Sequence, residues 1–139
     1  MQRIAGSATW DQLDVGHRFT SRRYRIDEAM VREYCAALGI DAERYIRAGV
    51  VPPMLNATDY GVLAREAIKP FLGMHASQET DFIKPIRIDE EVEVNVIYRR
   101  AFEKRGNTYV VLEVIVSNTT GETLVYNLMQ TTISGYIHE

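Results

Sequence analysis

Between Asp27 and residue 70 apolar residues recur mainly at helical spacing, and after it they alternate along long strands. The dominant helical stretch enters through Val50-Val51-Pro52-Pro53. Met54, Leu55, Thr58, Val62, Ala64 and Ala67 then recur at roughly helical spacing until Pro70 closes the run. The prolines suit an extended approach and a first helical turn, where a missing N–H costs nothing. The pattern predicts one helix reaching Lys69 with Met54, Leu55, Thr58 and Val62 toward the core. Upstream, Phe19 to Ile26 alternates as a strand expected at a sheet edge. Asp27 then suits the N-cap of an amphipathic helix through Ala29, Met30, Val31, Tyr34, Cys35, Ala37 and Leu38, ended by Gly39. Ile40 to Gly49 reads as a short, charged, irregular segment, the kind of loop that functional residues favour.

After a connection at Phe71-Leu72-Gly73, Met74 to Ile83 reads as a long strand broken by Lys84-Pro85-Ile86, because proline cannot donate to a central ladder. Three more strands follow. Val92, Val94, Val96 and Tyr98 alternate with Glu91, Glu93, Asn95 and Ile97, and Val110, Leu112, Val114 and Val116 alternate with Tyr109, Val111, Glu113 and Ile115. In the last, Leu124, Tyr126 and Leu128 alternate with Val125, Asn127 and Met129. Lys104-Arg105-Gly106-Asn107 and Asn118-Thr119-Thr120-Gly121 carry turn chemistry, which makes the three an antiparallel meander. Ile97, Val111, Ile115 and Val125 add apolar groups to the second face, and a homo-oligomer interface explains them economically. One apolar helix followed by long strands predicts an α+β fold whose sheet wraps a central helix.

With 139 residues the chain suits a single domain over 1–139. Met1 to Thr9 lack periodicity and read as a lead-in, with Trp10 covering an end of the core. A net charge of −3 with both signs scattered gives no footprint for nucleic acid. The lone Cys35 rules out an internal disulfide framework. No charged-then-apolar leader and no apolar run long enough to span a bilayer is seen, so the expectation is a cytoplasmic protein with no membrane association. A Gly-rich phosphate loop, a metal-spaced Cys/His cluster and a Gly-x-Ser-x-Gly elbow are all missing, so neither cofactor nor metal is expected.

Several segments in order resemble one family. They are Tyr34-Cys35-Ala36-Ala37-Leu38-Gly39-Ile40-Asp41, Val51-Pro52-Pro53-Met54, His75-Ala76-Ser77-Gln78-Glu79 leading through Phe82 to Lys84-Pro85-Ile86, and Thr120-Gly121-Glu122-Thr123-Leu124-Val125. Together, over roughly Val15 to Ser134, they resemble the hotdog fold of the MaoC-like (R)-enoyl-CoA hydratases and 3-hydroxyacyl thioester dehydratases. The resemblance implies an acyl-CoA or acyl-carrier-protein thioester as substrate. It implies an Asp at the end of the first helix and a His five residues later. One group takes a proton from the water that adds across the double bond, and an acid supplies one to the α-carbon. Asp41 falls on the Asp position; Ile46 stands where the His is expected and can neither accept nor donate a proton.

The reading that follows is a hydratase/dehydratase subunit that shapes the acyl pocket in a homodimer or heterodimer whose other hotdog supplies the dyad. Within this chain the candidate catalytic residues are Asp41 and His75, whose residue type titrates near neutral pH. Asp41 also reads as a capping carboxylate and His75 as a structural histidine. Candidate substrate-binding residues are Tyr45, Pro53 at the helix entry, Asn56 and Asp59. The N–H groups of Leu55, Asn56 and Ala57 at the helix start suit a thioester oxygen. Asn56 adds a side-chain donor or serves as a cap. Asp59 and Glu66 open an alternative, a hotdog acyl-CoA thioesterase using a carboxylate on the helix. A further alternative is acyl-CoA binding without turnover. Arg99, Arg100, Lys104 and Arg105 around one hairpin either receive phosphates or form a solvated tip.

Overall fold

The computed structural model describes residues 13–68 and 71–136; the lead-in, Trp10 and the Lys69-Pro70 end of the long helix lie outside them. Strand β1 (Arg18–Arg25) is followed by helix α1 (Glu28–Leu38). Asp27 caps α1 by accepting from Met30 N at 2.9 Å, and Gly39 ends it in the left-handed conformation at φ 67°. Only glycine takes that conformation without strain, which is why the chain turns there. Val31 and Cys35 are the residues α1 buries. The segment expected to be irregular is instead a short helix, α2 (Glu43–Ala48). Asp41 Oδ1 accepts from Glu43 N at 3.0 Å at its start, and Gly49 closes it at φ 69°. Two local stop signals thus make a helix from a segment too short to show periodicity.

Helix α3 spans Ala57–Ile68. Pro52 and Pro53 do not occupy its first turn: the chain turns over residues 53–56 before the helix begins, with Leu55 N donating to Pro52 O at 3.0 Å and Ala57 N to Met54 O at 3.2 Å. That late start rotates the helix relative to expectation. Its buried residues are Tyr60, Leu63 and Ala64, whereas Met54 and Val62 are 54% and 45% exposed. The helical spacing holds, but its buried phase is set by Tyr60, fully buried, and not by the exposed Met54.

Strand β2 (Phe71–Phe82) starts three residues before the expected Met74. It precedes the meander of β3 (Glu91–Lys104), β4 (Asn107–Asn118) and β5 (Thr123–Tyr136). All pairs are antiparallel in the order β1-β3-β4-β5-β2, which puts β1 and β2 at the two edges. β3 and β4 join through Arg105-Gly106, both at positive φ, the tight two-residue turn whose twist matches a hairpin.

The sheet's inner face packs against α3. Val94, Val116 and Val125 lie side by side on it, as do Val96, Val114 and Asn127, then Tyr98, Leu112 and Met129. These positions are buried and, Asn127 apart, join Tyr60 and Leu63 in one core cluster. The inner residues of β5 are therefore Val125, Asn127 and Met129 rather than Tyr126 and Leu128, while Leu124 at the strand's start is buried and still joins the core cluster. A register shift next to Ser117 leaves Leu124 out of the ladder and reverses the alternation. Val125, assigned by alternation to the second face, belongs to the core for the same reason. Ile97, Val111 and Ile115 do lie on the outer face, beside Glu113, a buried carboxylate paired with Arg99 at 2.8 Å and with the Tyr126 hydroxyl.

Candidate functional site

Two stretches of non-repetitive backbone are stitched together at one end of the sheet. Val51 N donates to Ile86 O at 2.8 Å, Val50 bridges Arg87, and Ile88 N donates to Gly49 O at 3.0 Å. On the far side, Ile83 N and Lys84 N both donate to Leu124 O. The prolines at 52, 53 and 85 keep these stretches out of the ladder, so a gap opens between them. The gap is a cleft of about 310 Å³. One wall is Tyr45 of α2 with Val50 to Pro53; the other is Phe82 to Ile86, with Val125 of β5. It is mostly apolar. Its titratable side chains are Tyr45 and Lys84, and the Lys84 amine is paired with Glu122 at 2.5 Å.

The expected site residues divide between this cleft and elsewhere. Tyr45 and Pro53 line it. Tyr45 is half-buried, packs against the core, and has the Arg44 guanidinium 5.4 Å from its ring centre. Asp41 is exposed, and its carboxylate holds the start of α2. Ile46, at the position of the missing His, packs partly buried against the core. His75 is exposed on the edge strand β2, seven residues from Phe82. At about 3.3 Å per residue that is about 23 Å of strand, so Asp41 and His75 do not form a pair around the cleft. Among the described residues no His or carboxylate lines the cleft.

Asn56 is buried beside the cleft. Its Nδ2 donates to the Tyr24 hydroxyl at 3.1 Å, which ties the turn before α3 to β1. Its Oδ1 and the hydroxyl of Tyr60, one helical turn on, are both buried and, among the described residues, meet no partner in hydrogen-bonding geometry, although Asn56 and Tyr60 lie close enough to interact. Burial pushes the Tyr60 phenol far above its ordinary range, helped by the neighbouring Tyr24, and burial likewise raises Tyr24. Of the N–H groups expected to await a thioester oxygen, those of Leu55 and Ala57 are committed to the turn. Asp59 is half-buried outside the lining, and Glu66 is exposed with Arg22 at 3.8 Å.

In the basic hairpin Arg99 is engaged by Glu113, and the Arg100 guanidinium lies 5.1 Å from the Phe102 ring centre. The tip pair Lys104 and Asn107 is nine residues along β4 from Val116, the neighbour of the cleft residue Val125. That is about 30 Å, so within one chain the tip does not reach the cleft. Among the described residues no three His, Cys, Asp or Glu come together as a metal site, and no helix is long and apolar enough to cross a membrane.

Sequence reasoning missed the second wall, Phe82 to Ile86 with Val125. Its available signal was the proline-broken run directly after a strand, which ends the strand and carries part of the family resemblance without by itself marking a cleft wall.

No protein-family model matches the chain, and no curated protein matches it. Solved structures do. The R-hydratase PhaJ1 from Pseudomonas aeruginosa superposes with a TM-score of 0.71 at 15% identity, over 94% of this chain and 91% of that one. The HadBC (3R-hydroxyacyl-ACP dehydratase) complex from Mycobacterium tuberculosis gives a TM-score of 0.66 at 18% identity, over 88% and 98%. A hypothetical thioesterase protein with coenzyme A from Streptococcus pneumoniae gives 0.62 at 11%, over 85% and 80%. The chain has the hotdog fold, α+β with a long antiparallel sheet around a central helix, which these structures share.

Proposed function

We propose that this protein binds an acyl thioester, of coenzyme A or a carrier protein, and forms the acyl pocket of a hydratase/dehydratase dimer whose other hotdog supplies the proton-transfer pair. The observation that carries the reading is the apolar cleft at the entry to α3, whose lining among the described residues holds no His or carboxylate. Hydration adds the hydroxyl of water to the β-carbon and a proton to the α-carbon, and dehydration reverses both. Either direction needs groups that take and give a proton at the substrate. Ile46 does neither, and Asp41 is engaged in holding α2.

The route to a dimer is β2. Four of the eight residues of the other edge strand, β1, are arginines, and lining an edge with charge is how sheets discourage a further strand. β2 pairs on one side only and carries no lysine or arginine along its length, while Met74 and Phe82 on it are 69% and 45% exposed. A second hotdog adding its own edge there extends the sheet through backbone hydrogen bonds. HadBC, a dehydratase complex by name, is a neighbour in fold. Binding without turnover by a homodimer rests on the same unlined cleft and is the second reading.

The test is hydration of crotonyl-CoA, followed by loss of the enoyl absorbance, with thermal shifts recorded alongside. The chain alone is expected to be stabilised by acyl-CoA, since a ligand bound only by the native state raises its stability. It is expected to form no product until a dyad-bearing hotdog is co-expressed. Turnover by the chain alone that disappears in Asp41→Asn or His75→Ala overturns the proposal. Release of free thiol, abolished by Asp59→Asn with Glu66→Gln, would establish the thioesterase instead.

A further inference from the structure

A second cavity, of about 320 Å³, lies on the outer face of the sheet, where β3 and β4 turn away from the core. Asn95 alternates with the inner residues Val94 and Val96, so its side chain faces outward between Ser21 of β1 and Ile115 of β4, and it lines this cavity. The residue is only 8% exposed, and its Oδ1 is buried with no partner among the described residues. A carbonyl oxygen hidden in this way is costly unless something donates to it, and a valine there would continue the strand without that cost.

The rest of the lining is held in place. Glu93 accepts from Ser21 Oγ at 2.7 Å and faces Arg23 at 3.6 Å. The Ser21 bond, with Arg23 and Arg18 nearby, keeps the Glu93 carboxyl below the usual carboxylate range, so it is charged at neutral pH. On the opposite wall, Asn118 Oδ1 accepts from Thr120 N at 3.1 Å and Glu122 N at 2.9 Å, which fixes the turn after β4 as a rim of the cavity.

The charges of the lining nearly cancel. Arg23 is answered by Glu93, and Glu91 by Arg25 at 3.7 Å, from outside the lining. Arg18 also lines the cavity and makes no ion pair among the described residues. A bare anion would satisfy Arg18, but it would face two carboxylates and could not donate to Asn95 Oδ1. A neutral polyol would donate to the acceptors and leave Arg18 unanswered. The complement carries both features, hydroxyls that donate and one anionic group.

We propose that the outer face of the sheet holds a binding site for a phosphorylated sugar, whose hydroxyls donate to Asn95 and Glu93 and whose phosphate is taken by Arg18. The volume is at the small end for a ligand site and suits one sugar ring with its phosphate. The site is separate from the apolar cleft, which Phe82 and Val125 line from the inner face. Free ribose 5-phosphate and the same group within AMP share this chemistry.

The test is titration calorimetry of the full-length protein with ribose 5-phosphate, AMP, ribose and inorganic phosphate, with Asn95→Leu and Arg18→Gln beside the wild type. Ribose 5-phosphate should bind roughly tenfold more tightly than ribose or inorganic phosphate. Asn95→Leu should weaken it roughly fivefold, the size of one neutral hydrogen bond, and Arg18→Gln by roughly tenfold or more, the size of a charged one. Arg18 is exposed on an edge strand, so its variant remains informative if Asn95→Leu does not fold. AMP binding as tightly as ribose 5-phosphate supports the proposal with a nucleotide as the source, and ribose 5-phosphate binding without AMP supports it with a free sugar phosphate. Ribose or inorganic phosphate binding as tightly as ribose 5-phosphate, an affinity unchanged in either folded variant, or no saturable binding of ribose 5-phosphate or AMP at millimolar concentration overturns it.

Discussion

Removing the Tyr60 hydroxyl is expected to stabilise the protein. The ring is completely buried in the core; its oxygen meets no partner in hydrogen-bonding geometry among the described residues, although the Asn56 amide, given to Tyr24, lies close enough to lower the phenol pKa slightly against the effect of burial. An unpartnered buried hydroxyl costs about 1–3 kcal/mol, so Tyr60→Phe, which keeps the ring, should recover ~1 kcal/mol. At about 2.1 cal/mol/K of unfolding entropy per residue, a chain of this size should gain ~3 °C in Tm. The variant also carries a pH signature. Burial raises the folded-state pKa of Tyr60 above its unfolded value, so the neutral phenol's contribution to stability is complete below about pH 10 and is lost as pH rises toward the folded pKa. Between pH 8 and pH 11 the advantage of Tyr60→Phe over wild type should therefore grow by ~1.4 kcal/mol. Tyr24, raised mainly by burial, and Tyr126, raised mainly by its bond to Glu113, keep some alkaline sensitivity in both proteins. Urea unfolding followed by circular dichroism at the two pH values measures both quantities. A variant less stable than wild type at pH 8, with an unchanged alkaline loss, would refute the reasoning and show that the hydroxyl is bonded through a trapped water.

Asp27→Ala removes the acceptor of Met30 N and should cost ~1 kcal/mol, read as a lower urea midpoint at unchanged slope. Leu63→Ala leaves a hole between α3 and the sheet and should cost about 2–5 kcal/mol in the same assay, whereas Val62→Ala, on the exposed flank, should cost under ~1 kcal/mol. Ile46→His places, at a position packed against the core, the residue type that the resemblance to MaoC-like hydratases leads one to expect there; it should lower stability by about 1–2 kcal/mol and yield no crotonyl-CoA hydration by the isolated chain. Hydration by that variant would show that the ring reaches the cleft.

The α+β class, the extent of α1 and the two turns of the meander were legible because each is written locally. Asp27 and Gly39 bracket α1, Arg105-Gly106 makes a two-residue turn, and alternation marks the inner residues of β3 and β4. What the sequence by itself left undetermined depends on partners distant along the chain. The phase of α3 follows from Tyr60 finding space against the sheet, and the inner residues of β5 from a register shift that reverses their parity. The cleft exists because residues 50–53 and 82–86, thirty positions apart, are stitched face to face, and no local pattern encodes that distance. The same is true of the candidate chemistry. Residue type made Asp41 and His75 candidates, but a proton-transfer pair is defined by separation and aim, and tertiary structure puts one at a helix start and the other far along an edge strand.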